Sequence, residues 1–591
     1  MEGIKFSNIS IAKALSEVAA AYEVKGENRF KIRAYNTAAD SVEHATSEVK
    51  DLWEEGKLDE LPGIGESISS HLDEYFRTGR VKHFEEVKED LPAGMFEIFG
   101  LEGVGPKRAF RLSEELGVKS VEGLYKAAQE GKIADLEGFG EKSQEQIVKA
   151  IERKSREQMR TPLPIAFSLA ERLLEKILKF PRVSRADPLG SLRRMVATVG
   201  DVDIGVATTK PEETIERFVK LPEVGRVLAA GGAKASVLLK TGQQVDVRAH
   251  DPESYGALLQ YFTGSKQHNI HLRKIANAKG YTLSEYGIAK FAKGKKVGEP
   301  LPVDSEEEFY RLLGMPWIAP ELREDQGEIE AAQRQAQGKP DRLPELVELK
   351  DIKGEVHVHT DNSPDGEIPA EELVKRAVGL GYEFIGIADH SPSVHTRGRE
   401  GARREILKRK KEVERLRKKF KRRIEIFFGA ETNIDATGKM ALPNELLKLH
   451  EFIVASIHTS FDQPRSEITQ RLVSALRNPY VNMIGHPTGR LLTMREAYEA
   501  DWDRVFKITK EEGKIMEINA YPLRLDLPDR IVKTAKDMGI PIVISTDAHR
   551  VEHLENLRFG VSVARRGWCE KKDILTTRGA SEFAKLFRIR R

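Results

Sequence analysis

The chain has 591 residues, more than one hydrophobic core organises, so several domains are expected. Lys and Arg total 96 against 93 Asp and Glu, a formal net charge of +3, and a charged fraction of 32% with a mean hydropathy of −0.45 is that of a water-soluble protein. No apolar run approaches the roughly 18–20 residues that span a bilayer, residues 1–5 lack a signal-peptide core, and the lone Cys569 excludes an intrachain disulfide; a membrane protein and a disulfide-stapled secreted scaffold are set aside, and a cytoplasmic location is expected.

About the first 150 residues are predicted as helices punctuated by one recurring pattern. It appears as Leu61-Pro62-Gly63-Ile64-Gly65, Leu101-Glu102-Gly103-Val104-Gly105 and Leu136-Glu137-Gly138-Phe139-Gly140, at spacings of 40 and 35 residues. Two glycines around one apolar residue make a tight hairpin that aims N–H groups outward at the start of the next helix, where a phosphate oxygen can bind. A single copy reads equally well as an ordinary interhelical turn. Three copies point to contact with a DNA backbone and resemble helix-hairpin-helix motifs, which grip phosphates without reading sequence. Glu141 makes the third copy the least suited.

Strands are predicted from near Ala197. Val196–Val206 alternates about Asp201 and Asp203, and Ser236–Val247 reads as a hairpin turned at Lys240-Thr241-Gly242. Helices resume after Ser254. The polar stretch 321–350, with Gln-rich Ala331–Gln337 and prolines at Pro340 and Pro344, is taken as an interdomain linker. Beyond Asp351, short apolar strands (Phe384–Ala388, Ile424–Phe428, Phe452–Ile457, Met483–Ile484, Met516–Ile518, Ile542–Ser545) alternate with helices and end in polar and histidine residues. That rhythm suggests a β/α barrel with its chemistry on the loops after the strands.

A first chemical site is predicted in Gly190-Ser191-Leu192-Arg193-Arg194, Gly200-Asp201-Val202-Asp203 and Gln244-Val245-Asp246. Residues i and i+2 of a strand face one side, roughly 6.5–7 Å apart, so Asp201 and Asp203 present two carboxylates to one spot and Asp246 can supply a third. Converging carboxylates repel unless a divalent cation lies between them, and oxygen-only ligation suits Mg²⁺ or Mn²⁺. The Gly190-Ser191 turn can bind a triphosphate, and Arg194 adds a charged fork. An Asp-x-Asp alone is commonly a solvated strand face; with the Gly-Ser turn upstream and the later Asp it becomes a nucleotidyltransferase signature.

The next segment, Tyr261-Phe262-Thr263-Gly264-Ser265-Lys266-Gln267-His268-Asn269 with Arg273, narrows this reading. Together with the hairpin copies it resembles the family X DNA polymerases of the β type, up to about Trp317. The resemblance implies that Asp201 and Asp203 hold two metals, while Asp246 joins them at the catalytic metal and draws the proton from the primer 3′-OH. It implies that Ser191 and Arg194 bind the β,γ-phosphates of a dNTP, that Tyr261, Phe262 and Gly264 pack against its sugar, and that Asn269 and Arg273 lie on the minor-groove side of the new base pair. Lys31, Tyr35 and the glycines Gly63, Gly65, Gly103 and Gly105 match DNA-binding positions. One departure matters: where related repair polymerases carry a Schiff-base lysine, this chain has His71. Histidine lacks the primary amine an imine needs, so 5′-deoxyribose phosphate lyase activity is expected to be absent.

A second site is predicted from nine residues at strand ends: His357, His359, Asp365, His390, Glu431, His458, His486, Asp547 and His549. Imidazole mixed with carboxylate favours Zn²⁺, Mn²⁺ or Fe, and nine ligands suit two or three ions rather than one. From about Asp351 to Gly579 the pattern resembles the PHP (polymerase and histidinol phosphatase) domain, a distorted β/α barrel that hydrolyses phosphate esters. Fused to a polymerase, such a domain implies 3′→5′ exonuclease and abasic-site endonuclease activity. Arg490 and Arg524 are candidates to bind the scissile phosphate. Arg403–Arg423 carries thirteen Lys or Arg in 21 residues; it is either a barrel helix with a solvated basic face or a guide for DNA through Lys418, Lys419 and Lys421.

The expected architecture is multidomain α+β and α/β. It comprises a helix-hairpin-helix lyase-like domain (1–88), a helical fingers-type domain (89–155), a nucleotidyltransferase palm (156–252), a thumb (253–320), the linker (321–350) and the PHP barrel (351–591). The expected function is gap-filling synthesis in DNA repair joined to a metal-dependent nuclease. Gapped or nicked DNA and dNTPs are the expected partners, with no membrane, and a monomer is expected. The competing reading is a small-molecule phosphoesterase that an inactive polymerase-like half tethers to DNA; the intact aspartate triad counts against it.

Overall fold

A computed structural model of the chain describes residues 8–43, 49, 53, 58, 61, 63–101, 103–158, 160–292 and 295–590. Two compact units divide it, Met1–Met159 and Arg160–Arg591.

The first unit is helical. Asn8–Lys25, Arg29–Glu43 and Glu66–Thr78 pack around Leu15, Val18, Leu72 and Phe76, and a separate cluster of Met95, Ile98, Leu112, Leu124 and Ile147 holds together the later helices. All three predicted hairpins form. In each, the residue between the glycines donates its N–H to the leucine carbonyl three residues back (Ile64 to Leu61, Val104 to Leu101, Phe139 to Leu136). Gly63, Gly103 and Gly138 have φ of 84°, 84° and 81°, the left-handed region glycine enters without steric cost. Gly65 and Gly105 then cap their helices in extended conformation, whereas Gly140 has φ 96°. The third copy thus departs from the first two in backbone, while Glu66 after the first copy shows that a glutamate at the helix start is not peculiar to the third.

The second unit opens with a five-stranded sheet in the order Val183–Pro188, Val202–Thr208, Gln244–His250, Lys234–Leu239, Val224–Gly231. Its apolar face carries Val202, Ile204, Val206, Val245 and Val247 into a core shared with the helix Leu163–Ile177. The helices Tyr255–Thr263, Lys266–Ala278 and Glu306–Leu312 and a three-stranded antiparallel sheet follow.

The stretch 321–350 differs from its expectation as a linker. It contains the helix Glu328–Ala336, whose Ile329 and Ala332 enter the same cluster as Leu272, Phe309 and Leu313. Buried Arg323 meets Glu306 at 2.6 Å, and buried Glu328 meets His268 at 2.6 Å. Average polarity concealed these contacts because the charged residues find buried partners far away in sequence, an ion pair for Arg323 and a hydrogen bond for Glu328.

Seven parallel strands in sequential order form the barrel: Gly354–Val358, Phe384–Ile387, Glu425–Asn433, Phe452–Ser456, Met483–Ile484, Ile515–Asn519 and Ile542–Ser545. The His359 N–H donates to the Ala548 carbonyl at 2.8 Å and nearly closes it. Phe384, Phe427, Phe452, Phe583 and Phe587 fill the base. Gly429 is required there, since a Cβ would stand 2.3 Å from the Phe452 ring. The helix Leu557–Arg566 docks barrel to palm through Phe559 on Phe167 and the Arg558–Glu171 pair at 2.9 Å. No helix among the described residues is long and apolar enough to cross a membrane.

Candidate functional site

Alternation along two parallel strands builds the first site. Burying Val202 and Ile204 turns Asp203 to the opposite face, burying Val245 and Val247 does the same for Asp246, and the register pairs Asp203 directly with Asp246. Burial, then the charges of Asp246 and Asp201, raise the Asp203 carboxyl to about 7. The Gly190–Ser191 turn lies against it. Gly190 has φ 55°, a Cβ there would stand 2.3 Å from Asp203 Oδ2, and the Leu189 N–H donates to the Asp203 carbonyl at 2.8 Å. Oxygen donors crowded until one resists ionisation are a donor set that fits a divalent cation.

Arg194 reaches from this turn to the following helix. Its Nη1 donates to the Thr263 carbonyl at 2.5 Å and its Nε to Glu324 at 3.0 Å. Gly264, with φ 72°, admits that guanidinium, since a Cβ would lie 3.1 Å from Nη1. Tyr261 and Phe262 pack edge to face at 5.0 Å, with Arg248 over the Phe262 ring. Asn269 is turned inward, donating to the Tyr261 carbonyl at 2.7 Å and accepting from Gln260 at 2.9 Å, and Arg273 is exposed one turn further along that helix. Arg193 was not foreseen. It donates to both Glu306 oxygens at 2.9 and 2.7 Å; burial opposes the charge, yet Arg323 and Arg193 hold the Glu306 carboxyl at about 2. Nothing in Arg193-Arg194 tells which arginine meets which partner.

Tyr35 donates or accepts across 2.9 Å to His71 Nδ1, and His71 stacks on His83 at 4.6 Å. Burial, then the neighbouring His83, lower the His71 pKa. Lys31 Nζ lies 4.2 Å over the Tyr22 ring. The lyase position is therefore filled by an aromatic and imidazole stack.

The second site gathers all nine predicted residues at the C-terminal mouth of the barrel. Glu431 is its centre: Oε1 is 2.9 Å from His486, 3.2 Å from His458 and 3.5 Å from His357, while Oε2 is 2.9 Å from His390 and 3.7 Å from His359. Asp547 Oδ1 lies 3.1 Å from His359, and Asp365 bridges His549 at 3.3 Å and His390 at 3.4 Å. Three overlapping groups have metal-binding spacing: His359, His390 and His549; His357, His359 and Asp547; His390, Glu431 and His458. His357 Nε2, His359 Nε2 and His486 Nδ1 are buried without a hydrogen-bond partner. Such orphaned nitrogens beside carboxylates are the donor set of a metal cluster.

Residues behind the ligands fix their orientation, and these the sequence reading missed. Glu517 accepts from His357 Nδ1 at 2.7 Å and from the His486 N–H at 2.6 Å, leaving His357 Nε2 to face the cluster. Ser363 bonds His359 Nδ1 at 3.0 Å and donates to Asp389 at 2.9 Å. The available signal was a carboxylate inside an apolar strand, Met516-Glu517-Ile518. Burial disfavours the His357 imidazolium, but Glu517, Asp547 and Glu431 raise its pKa well above the usual value. Burial likewise opposes the Glu431 carboxylate, and His458 and His357 hold it well below the carboxylate range.

The two candidate phosphate arginines divide. Arg490 donates to the carbonyls of Arg524 and Leu525 and so braces a loop. Arg524 lies beside Asp547, and its buried Nη1 has no hydrogen-bond partner. The basic helix Val394–Lys419 fits the first of its two readings, a barrel helix that buries Ala402, Ile406, Val413 and Leu416 and exposes Lys418 and Lys419. Arg409 donates to the His390 and Asn362 carbonyls at the mouth, whereas Arg417 donates to the Ile426 carbonyl at the strand's beginning. The helix descends the barrel wall, so Lys418, Lys419 and Lys421 lie toward the base, Lys418 about 13 Å along the axis from Arg409. Lys419 pairs there with Glu371 at 2.6 Å. At the opposite end Arg397, Arg403 and Arg404 are exposed without an ion pair among the described residues.

Comparisons with known proteins agree with this geometry. Family models match for a helix-hairpin-helix domain (7–81), a SAM-like helix-hairpin-helix tandem (97–153), a DNA polymerase beta thumb (258–324) and a PHP domain (355–521). The thumb match runs past residue 320 into the supposed linker. A DNA polymerase/3′-5′ exonuclease PolX of Bacillus subtilis is 35% identical over 97% of this chain and 98% of its own length. A DNA polymerase lambda of Arabidopsis thaliana is 24% identical over 54% of this chain and 62% of its own, and a probable phosphatase of Thermoanaerobacter sp. is 31% identical over 33% and 78%. End-to-end likeness to the Bacillus protein, with an aspartate triad in the palm and a nine-residue cluster in the barrel, makes this chain a member of the family X DNA polymerases that carry a C-terminal PHP domain.

Proposed function

We propose that the chain fills short gaps in DNA during repair with its palm, and removes 3′-terminal nucleotides and cleaves at abasic sites with its barrel. The observation that carries this reading is the coexistence, in one chain, of the Asp203–Asp246 pair and the complete cluster around Glu431. Divalent ions, Mg²⁺ or Mn²⁺ in the palm and two or three Zn²⁺, Mn²⁺ or Fe ions in the barrel, would activate the attacking oxygen and neutralise charge on the leaving group. In the palm, Asp201, Asp203 and Asp246 hold the ions, and Asp246 accepts the primer hydroxyl proton. Ser191 and Arg194 orient the β,γ-phosphates, Tyr261, Phe262 and Gly264 line the sugar, and Asn269 and Arg273 approach the minor groove. In the barrel, Arg524 binds the scissile phosphate; its unpaired buried nitrogen supports this role. Gly63, Gly65, Gly103 and Gly105 grip the DNA backbone; open space at the last three supports that contact. Lys31 contacts the 5′ side of the gap, whereas Tyr35, buried in the helical core and bonded to His71, stands behind that surface and does not reach DNA. We assign the domain ranges given above, with 321–350 placed with the thumb and the barrel it adjoins. The protein acts as a cytoplasmic monomer and lacks lyase activity.

The probable phosphatases that resemble the barrel favour the rival reading, a small-molecule phosphoesterase. Hydrolysis of a 5′-labelled single-stranded oligonucleotide and of p-nitrophenyl phosphate by the same preparation separates the two. Stepwise shortening from the 3′ end, at a higher kcat/KM than the monoester, is expected; efficient monoester hydrolysis with intact DNA would move the function to the rival.

A further inference from the structure

Two consecutive arginines at the end of the barrel helix Leu557–Arg566 grip the segment that leaves the thumb. Arg565 meets Glu321 at 2.7 Å, and Arg566 meets Glu324 at 2.9 Å. Glu324 has a second cation, since the oxygen that receives Arg566 also receives Arg194 Nε at 3.0 Å. Arg566 in addition donates to the Arg194 backbone carbonyl at 2.8 Å and is anchored from behind by Asp529 at 2.6 Å. The Arg566 side chain is only 9% exposed, which removes it as a simple surface contact. A residue of the barrel therefore touches both the backbone and the charge partner of a palm arginine.

We propose that Arg566 is a positioning residue for nucleotide binding: it keeps Glu324 neutralised so that the Arg194 guanidinium can turn from Glu324 to the triphosphate. The proposal rests on the reading of Arg194 as a triphosphate ligand. A carboxylate shared by two guanidiniums releases one of them readily, because the other remains to compensate its charge. With Arg566 removed, Glu324 keeps Arg194 as its single guanidinium partner, and the triphosphate must compete with a partly buried ion pair. The hydrogen bond to the Arg194 carbonyl meanwhile holds the end of the turn that carries Ser191 and abuts Asp203. The barrel thereby acts on the polymerase step without contributing a catalytic residue to it.

Steady-state gap filling by the full chain tests this. Arg566→Ala is expected to raise KM for the dNTP about tenfold with kcat within about twofold of the parent. Glu324→Gln is expected to lower KM by about threefold, and adding it to Arg566→Ala to return KM to within about twofold of the parent. A general loss of folding would not be rescued by a second substitution, and nuclease rates of all three variants should match the parent. An unchanged KM in Arg566→Ala, or singles that simply multiply in the double variant, would overturn the proposal. Should Arg566→Ala fail to fold, Glu324→Gln decides alone, with an unchanged or raised KM counting against it. Arg194→Ala is run alongside: a KM that it leaves unchanged removes the triphosphate reading itself, whereas a raised KM there with a normal Arg566→Ala refutes only the relay.

Discussion

Asp203→Asn should stabilise the metal-free protein at alkaline pH, because the three palm carboxylates are held together against their own repulsion. The folded-state pKa of Asp203, about 7, is raised above its ordinary value of 3.8 by burial and by Asp246 and Asp201. A carboxyl raised in this way contributes its full stability below the unfolded value, and that contribution is lost as pH rises through the folded one. About three decades of proton affinity, at about 1.4 kcal/mol each, set an upper bound of about 4 kcal/mol on the loss. Asparagine keeps the shape without the charge. Thermal unfolding in EDTA should therefore show equal midpoints for parent and variant near pH 4 and a higher midpoint for Asp203→Asn at pH 8. Added Mg²⁺ should raise the parent's midpoint and not the variant's. A variant no more stable than the parent at pH 8, or a parent indifferent to Mg²⁺, would refute the argument that these carboxylates converge on a cation.

Other expectations follow from the barrel and the N-terminal unit. Glu517→Gln should weaken metal retention about 10–100-fold by removing the acceptor behind His357, measured as metal content after dialysis; parent-like retention would mean the orientation is set elsewhere. Replacing Arg397, Arg403 and Arg404 with Ala should reduce the salt dependence of nuclease activity, whereas replacing Lys418, Lys419 and Lys421 should leave the slope unchanged; the opposite pattern would contradict the direction of that helix. Borohydride treatment with a 5′-deoxyribose phosphate end should trap no covalent adduct, because His71 offers no primary amine; an adduct would show that another lysine serves.

Most of the candidate donor set was legible because its periodicity is local. Asp201-Val202-Asp203 and His357-Val358-His359 place donors by the two-residue repeat of an extended chain, while Asp547, in a left-handed conformation (φ 52°) beyond its strand, and His549 join them because strand ends in a parallel barrel converge. What stayed hidden depends on pairing between distant segments. Glu517 behind His357 is separated from it by 160 residues, and Arg566 on Glu324 by 242. The stretch 321–350 looked like a linker because its charges are conspicuous in sequence and their buried partners, Glu306 and His268, are not. For the basic helix, composition marks a cationic element without telling which end reaches the mouth; only the bonds of Arg409 and Arg417 give its direction.

The measurement that bears most directly on two active sites in one chain uses a 5′-labelled primer on a one-nucleotide gapped duplex with Mn²⁺, with and without dNTPs. The parent should lengthen the primer by one nucleotide when dNTPs are present and shorten it when they are absent. Asp246→Asn should lose only the lengthening and Glu431→Gln only the shortening. A primer that the parent never extends, or one substitution that abolishes both reactions in a folded protein, would contradict the account.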